Sequence, residues 1–162
     1  MTDADNNKSF DHKYLEAERI ILLPLSGHSM TDDGIDTWYV IVDKGDHAPI
    51  GMIGMVHQNP EWKNTGLWIA IPDEQNRREG YGLEALELVE KYIFDSLAYQ
   101  RIAVRIADCN QAAVRFFKRA GYKLEGVQEL GYFQDDRYYD MILLRLLRKE
   151  YMSRQEIKTQ FE

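Results

Sequence analysis

Hydrophobic residues change their spacing abruptly near residue 80, and few folds accommodate the patterns on both sides. Upstream lie short runs of strand character, rich in β-branched and aromatic residues: Ile20–Leu25, Trp38–Val42, Ile50–His57 and Leu67–Ile71. They are separated by a polar stretch holding Gly27 and Gly34, by Lys44-Gly45-Asp46, and by Asn59-Pro60 with Asn64-Thr65-Gly66. Downstream, Leu83, Leu86, Val89, Ile93 and Leu97 recur at helical spacing, with Glu84, Glu87, Lys91 and Asp95 off that stripe. Arg101–Ala107 alternates again. Asn110 then reads as an N-cap and Gly121 as the residue past a helix end, bracketing about three turns. Leu124–Phe133 and Tyr138–Leu147 read as strands joined by Gln134-Asp135-Asp136, and Lys149–Glu162 as a short helix.

The order β-β-β-β-α-β-α-β-β predicts an α/β (α+β) protein with a mixed, mostly antiparallel central sheet and flanking helices. Four strands in series favour a meander, and the βαβ unit requires one parallel neighbour. The 162 residues suffice for a sizeable core. Residues 1–13 read as a flexible arm, 14–150 as a single domain and 151–162 as a tail of helical character.

Composition excludes several classes. A net charge of −7 argues against nucleic acid as a partner, since neutralising phosphates needs a basic surface. No apolar run reaches the roughly 20 residues of a membrane helix. The polar start Met1–Asn7 does not resemble a secretory leader. A single cysteine, Cys109, cannot form an internal disulfide, and no Cys/His spacing suits zinc. A cytoplasmic protein without a metal is the expectation.

The segment joining the two patterns is Gln75-Asn76-Arg77-Arg78-Glu79-Gly80-Tyr81-Gly82. A glycine turn entering a helix offers unpaired N–H groups and the positive end of the helix dipole to an anion. Glycine permits close backbone approach, and Arg77 and Arg78 add donors that match phosphate oxygens. A dinucleotide fingerprint would need a third glycine where Ala85 stands, and the Gly-x-x-x-x-Gly-Lys-Ser/Thr phosphate loop is absent.

Arg77-Arg78-Glu79-Gly80-Tyr81-Gly82 resembles the Gln/Arg-x-x-Gly-x-Gly/Ala motif of the GNAT superfamily of N-acetyltransferases. Asn110–Tyr122 resembles that family's Asn-x-x-Ala-x-x-aromatic-x-Lys-x-x-Gly-Phe/Tyr stretch, with small shifts. Glu125-Gly126 and Tyr138-Tyr139-Asp140 are similar to the branch of ribosomal-protein N-terminal and polyamine acetyltransferases. The likeness runs from Ile20 to Leu147. It implies a GNAT fold and acetyl-CoA as co-substrate. Its pyrophosphate would be held around Arg78, Glu79, Gly80, Tyr81, Gly82 and Leu83 with Arg77. Its pantetheine would lie along Ile69 and Ile71 and against Asn110, with Phe117 in contact and Lys118 or Arg119 reaching the phosphates. A helix cap alone equally explains Asn110.

The resemblance implies direct attack of a neutral amine on the thioester, which needs a proton acceptor because an alkylamine of pKa about 10.4 is protonated at pH 7. An acid that many relatives carry before the fourth strand is replaced by Asn64-Thr65-Gly66, leaving His57, Glu61 and Glu74 as candidate bases. The tyrosine that many relatives use as acid is Phe117 here, leaving Tyr122 and Tyr132 as substitutes. Relatives usually place two helices between the first two strands; Ser26–Thr37 is too short for both, so the acceptor side is open or completed by a second copy in a homodimer. Glu129 and Asp135, beside Glu125 and Asp136, suggest a cationic acceptor: a polyamine, another small amine or a peptide N-terminus. The alternative is an acyl-CoA-binding or sensing module that has lost the chemistry.

Overall fold

A computed structural model describes residues 14–25, 29–31 and 34–161. The arm at 1–13 lies outside the described residues. The elements are β1 (Leu15–Glu16), β2 (Ile20–Pro24), β3 (Ser29–Thr31), β4 (Gly34–Asp43), β5 (Pro49–Asn59), β6 (Asn64–Ala70), α1 (Glu74–Arg78), α2 (Tyr81–Lys91), β7 (Arg101–Ala107), α3 (Gln111–Arg119), β8 (Lys123–Gln134), β9 (Arg137–Leu147) and α4 (Arg148–Gln160). They form a mixed sheet in the order β1-β2-β4-β5-β6-β7-β9-β8, with β3 paired to β4. Among the described residues every pairing is antiparallel except β6 with β7. The expected fold class is the one observed.

Alternation along each strand divides the sheet into two faces. Tyr39, Ile41, Ile53, Met55, Leu67, Ile102, Val104, Leu144 and Leu146 are buried toward one face and join Ala85, Leu86, Val89 and Ile93 of the α2 region in one core. Their cross-strand alternates Trp38, Gly54 and Trp68 stand on the other face, where Trp38 meets Trp68 edge-on at 5.3 Å. Gly54 makes room for that pair: a Cβ there would sit 2.4 Å from the Trp38 ring.

Several local expectations change. Asn64-Thr65-Gly66 is not a turn but the start of β6; the reversal falls at residues 60–63, where Lys63 has φ 53°. Residues 74–78 form a short helix instead of a loop, because Asp73 caps them, its Oδ1 accepting the Gln75 N–H at 2.7 Å. The long helix widens into a π-helical turn at Tyr92–Ser96, with the Leu97 N–H donating to Tyr92 O at 3.0 Å. Leu83, assigned to its apolar stripe, is 44% exposed, whereas Glu90 is buried at 1%. Between β2 and β4 the described residues contain β3 and no helix, while residues 26–28 and 32–33 of that segment lie outside the description.

Other expectations agree closely. Asn110 caps α3, its Oδ1 accepting the Ala113 N–H at 3.1 Å, and Gly121 has φ 94° just past the helix end. Asp135 and Asp136 turn the β8–β9 hairpin with φ 51° and 57°, a pair of positive angles suited to a two-residue hairpin loop. The tail is helical as α4. It docks through Tyr151, packed on Phe94 with ring centroids 4.9 Å apart, and through Arg154, which pairs with Glu90.

Candidate active site

The site arises where the one parallel pairing fails. β6 stays with β5 out to Ala70, and β7 stays with β9 out to Ala107. Between β6 and β7, however, pairing stops after Asn64–Gly66 opposite Arg101–Ala103. The strands therefore diverge from Leu67 and Val104 onward and open a wedge inside the sheet. A strand that loses one neighbour leaves every second backbone N–H and C=O on that side without a ladder partner. Such an edge can pair with an extended amide-bearing ligand.

Two adjoining hollows occupy the wedge. The inner one, about 310 Å³, is floored by Leu67, Ile69, Val104 and Ile106 and rimmed by Tyr132 and Gln134 of the hairpin. The outer one, about 430 Å³, is bounded by Ile71, Pro72, Arg77, Gly82, Ala113 and Phe116. Ile69, Asn110, Ala113 and Phe117 line both, so the two form one continuous cleft.

At the cleft's outer end α2 begins. Gly80 takes φ 82°, a left-handed conformation that any side chain would strain, and it provides no side-chain cap. The Glu84 N–H makes the first intrahelical bond, to Gly80 O at 3.2 Å. The amides of Tyr81, Gly82 and Leu83 thus precede the helical ladder and suit an anion. Gly82 serves a different purpose: it is buried, and a Cβ would press to 3.2 Å from Ile71 Cδ1 and 3.7 Å from the Phe116 ring. One glycine makes the turn, and the other lets helix, strand and α3 meet at the cleft wall.

The two arginines divide. Arg77 lines the cleft and donates Nη2 to Pro72 O at 3.2 Å, while Arg78 is paired with Glu74 at 2.5 Å. Ile69, Ile71, Asn110 and Phe117 are all at the cleft. Lys118 is exposed, and helical periodicity sets it on the side of α3 opposite Ala112, Ala113 and Phe116. Arg119 follows Ala112 and Phe116 on their side of the helix.

The candidate acid and bases are scattered. His57 is exposed within a bulge of β5, with φ 50° and its N–H on Asp36 Oδ1 at 2.8 Å. It stands level with Thr65, four residues or about 13 Å of strand from Ile69. Glu61 lies on the exposed reversal beyond it, and Glu74 is in the ion pair with Arg78. Tyr122 is inside the core, edge-on to Phe117 at 5.1 Å. It lines neither hollow, and burial, with Glu90 beside it, pushes its phenol well above the ordinary range. Tyr132 does reach the rim, its hydroxyl donating to Gln134 Oε1 at 2.8 Å. Thr65 is buried, its hydroxyl held by the carbonyls of Gly66 at 2.8 Å and Val56 at 3.2 Å. Glu129 and Asp135 are exposed on the hairpin either side of Tyr132 and Gln134.

Sequence inspection missed Phe116 and Pro72 as cleft walls, and it missed Arg19 entirely. Arg19, in the β1–β2 connection, reaches 65 residues along the chain to grip the start of α2. Nothing local in the sequence signals that contact.

The divergence of β6 from β7 thus sets an open sheet edge beside a glycine turn at a helix start, an arrangement suited to an extended ligand that carries an anion. Residues 6–123 match the family model described as Acetyltransferase (GNAT) domain, and the chain belongs to that family. It is 26% identical over 116 residues to the SPbeta prophage-derived uncharacterized N-acetyltransferase YokL of Bacillus subtilis (strain 168), covering 72% of this chain. The match spans 65% of that relative's length. Among solved structures, spermidine/spermine N-acetyltransferase SpeG from Vibrio cholerae, crystallised with manganese ions, superposes with a TM-score of 0.68 at 22% identity. That likeness covers 74% of this chain and 69% of SpeG. A dodecameric structure of the spermidine N-acetyltransferase from the same organism gives 0.68 at 22% identity, covering 74% and 68% of the two chains.

Proposed function

We propose that this protein transfers the acetyl group of acetyl-CoA to a primary amine by direct attack within a ternary complex. The observation that carries the reading is the divergence of β6 and β7 after Gly66 and Ala103, continued into the uncapped start of α2 at Gly80. A pantetheine arm in the wedge would pair with the free edge at Ile69–Ile71, and its diphosphate would meet the amides of Tyr81, Gly82 and Leu83 with Arg77 beside them. A backbone N–H on that same edge would stabilise the tetrahedral oxyanion.

Phe117 occupies the cleft where a proton donor would help, and it cannot donate. A thiol of pKa about 8.5 leaves as thiolate with little assistance, so the loss is tolerable; Tyr132 at the rim or water supplies the proton. None of His57, Glu61 and Glu74 lines the cleft, so the amine gives up its proton to water with no side-chain base in contact with it. No metal takes part in this scheme, and the expected setting is the cytoplasm.

The acceptor side is assigned to a cationic amine, such as a polyamine or peptide N-terminus, approached past Glu129 and Asp135. A homodimer would cover Leu130, Phe133 and Tyr138, which stand 64%, 56% and 63% exposed on a hairpin of two long strands. The test is acetyl-CoA-dependent CoA release across spermidine, basic peptides and neutral amines. Turnover with cationic amines above the no-amine rate supports the proposal. CoA binding with a flat panel would instead favour an acyl-CoA-binding module.

A further inference from the structure

Glu84 lies in the first turn of α2, where a side-chain carboxylate is a built-in rival to any bound anion. It is attracted to the same free amides and the same dipole that would hold a diphosphate. In this protein it is held elsewhere. The Arg19 backbone N–H donates to Glu84 Oε1 at 2.7 Å, and Arg19 Nε donates to Oε2 at 2.8 Å. Both carboxylate oxygens are thereby occupied and the charge is offset.

The same guanidinium makes two further contacts with the turn. Its Nη1 donates to Glu79 O at 3.0 Å, the carbonyl immediately before Gly80, and its Cζ stands 4.7 Å over the Tyr81 ring. Tyr81 is anchored in turn, its hydroxyl donating to Asp43 Oδ2 at 2.6 Å. That bond, with the Gly45 N–H, holds the Asp43 carboxyl below its usual range. Arg19 is itself tied to the sheet through its carbonyl, which accepts the Lys44 N–H at 2.8 Å. The turn at Gly80, made by its own left-handed glycine, is therefore also held from the β2–β4 side of the sheet.

We propose that Arg19 is a positioning residue for the diphosphate of the acyl-CoA. It withholds Glu84 from the amides of Tyr81, Gly82 and Leu83, and it keeps the Gly80 turn open to an anion. The proposal rests on acyl-CoA occupying the cleft as described above. It assigns Arg19 to affinity for the diphosphate half of the co-substrate, with no role at the thioester.

The experiment compares the full chain with Arg19→Ala, Arg19→Lys, Glu84→Gln and Arg19→Ala/Glu84→Gln, using acetyl-CoA and acetyl-pantetheine, which lacks the diphosphate. Binding of CoA and of pantetheine is measured calorimetrically on the same samples, with a melting temperature for each. Arg19→Ala is expected to raise KM for acetyl-CoA about tenfold with kcat within about twofold, and to leave acetyl-pantetheine unaffected. The double variant should recover most of the loss, because the neutral amide introduced by Glu84→Gln has no charge with which to compete for the backbone N–H groups. Arg19→Lys should fall between, since a lysine keeps charge but not the paired geometry. Equal losses with both donors, or no rescue by Glu84→Gln in a folded double variant, would overturn the assignment. Failure of the unaltered protein to bind CoA would overturn the cleft reading and this proposal together; CoA binding that is indifferent to Arg19 would overturn this proposal alone.

Discussion

Gly51 tests whether the free edge of β6 must be held in place for acetyl transfer. It sits on β5 opposite Ile41 and faces the end of β6 across the ladder. A Cβ at Gly51 would lie 2.2 Å from Ala70 O and 3.1 Å from Ile71 Cγ1, whereas real Cβ contacts essentially never fall below 3.0 Å. Gly51→Ala must therefore push the Ala70 carbonyl away by the difference, 3.0 − 2.2 = 0.8 Å. The obstacle is backbone, so no rotamer change relieves it. Overpacking of this kind costs about 1–3 kcal/mol, partly offset by the roughly 0.5–1 kcal/mol that alanine gains over glycine in a strand. Displacement of Ala70 and Ile71 by nearly 1 Å moves the edge proposed to pair with the pantetheine. A misplacement of that size costs on the order of 100-fold in rate. The expected result is a modest fall in the urea midpoint together with a loss of kcat/KM far larger than the unfolded fraction explains. Gly126→Ala is the control, because its Cβ would meet Leu143 Cδ1 at an ordinary 4.0 Å. A Gly51→Ala protein with kcat/KM within about twofold of the parent would refute the link between strand position and catalysis.

Three other outcomes follow from the geometry. Arg154→Met should destabilise the fold by on the order of 2–3 kcal/mol in urea unfolding, because it strands Glu90, 1% exposed and already pushed up by burial; adding Glu90→Met should restore most of it, and additive losses would contradict this. Burial pushes Glu150 up, but bonds from Lys123, the Leu147 N–H and Arg145 outweigh it and bring its pKa from 4.5 down to about 2. Its stabilisation is thus complete above about pH 4.5 and lost as pH falls toward about 2, so the melting-temperature gap between parent and Glu150→Gln should close over that window. With no candidate base lining the cleft, kcat/KM for an alkylamine should climb with pH toward the amine's own pKa of about 10.4; a plateau near pH ~6.5 would identify a histidine as base.

Alternation and helical spacing located most of the architecture because they report burial directly. Arg101–Ala107, the Asn110 cap, Gly121 and the β8–β9 turn were all legible as local chemistry. The errors were local as well. Asn64-Thr65-Gly66 looks like a turn, yet Thr65 is buried beneath the ladder, and only pairing with Val56 and Arg101–Ala103 makes the segment a strand. Glu90 on the apolar face of α2 is explained by Arg154 from a helix 64 residues further on.

For function, the motif residues 77–82 and the Asn110 stretch pointed to the family that the chain belongs to and to the turn proposed to hold the co-substrate, since a glycine at positive φ beside a helix start is encoded within a few residues. Tertiary structure alone decided which side chains share the cleft. It set Phe117 and Arg77 at its walls, turned Lys118 away, enclosed Tyr122 in the core and left His57 at the closed end of the wedge. It also brought Arg19 onto Glu84, a contact of high sequence separation that carries no periodic trace. A local conformation is set by neighbours in the chain; a constellation of side chains is set by strand register and by where two strands stop pairing.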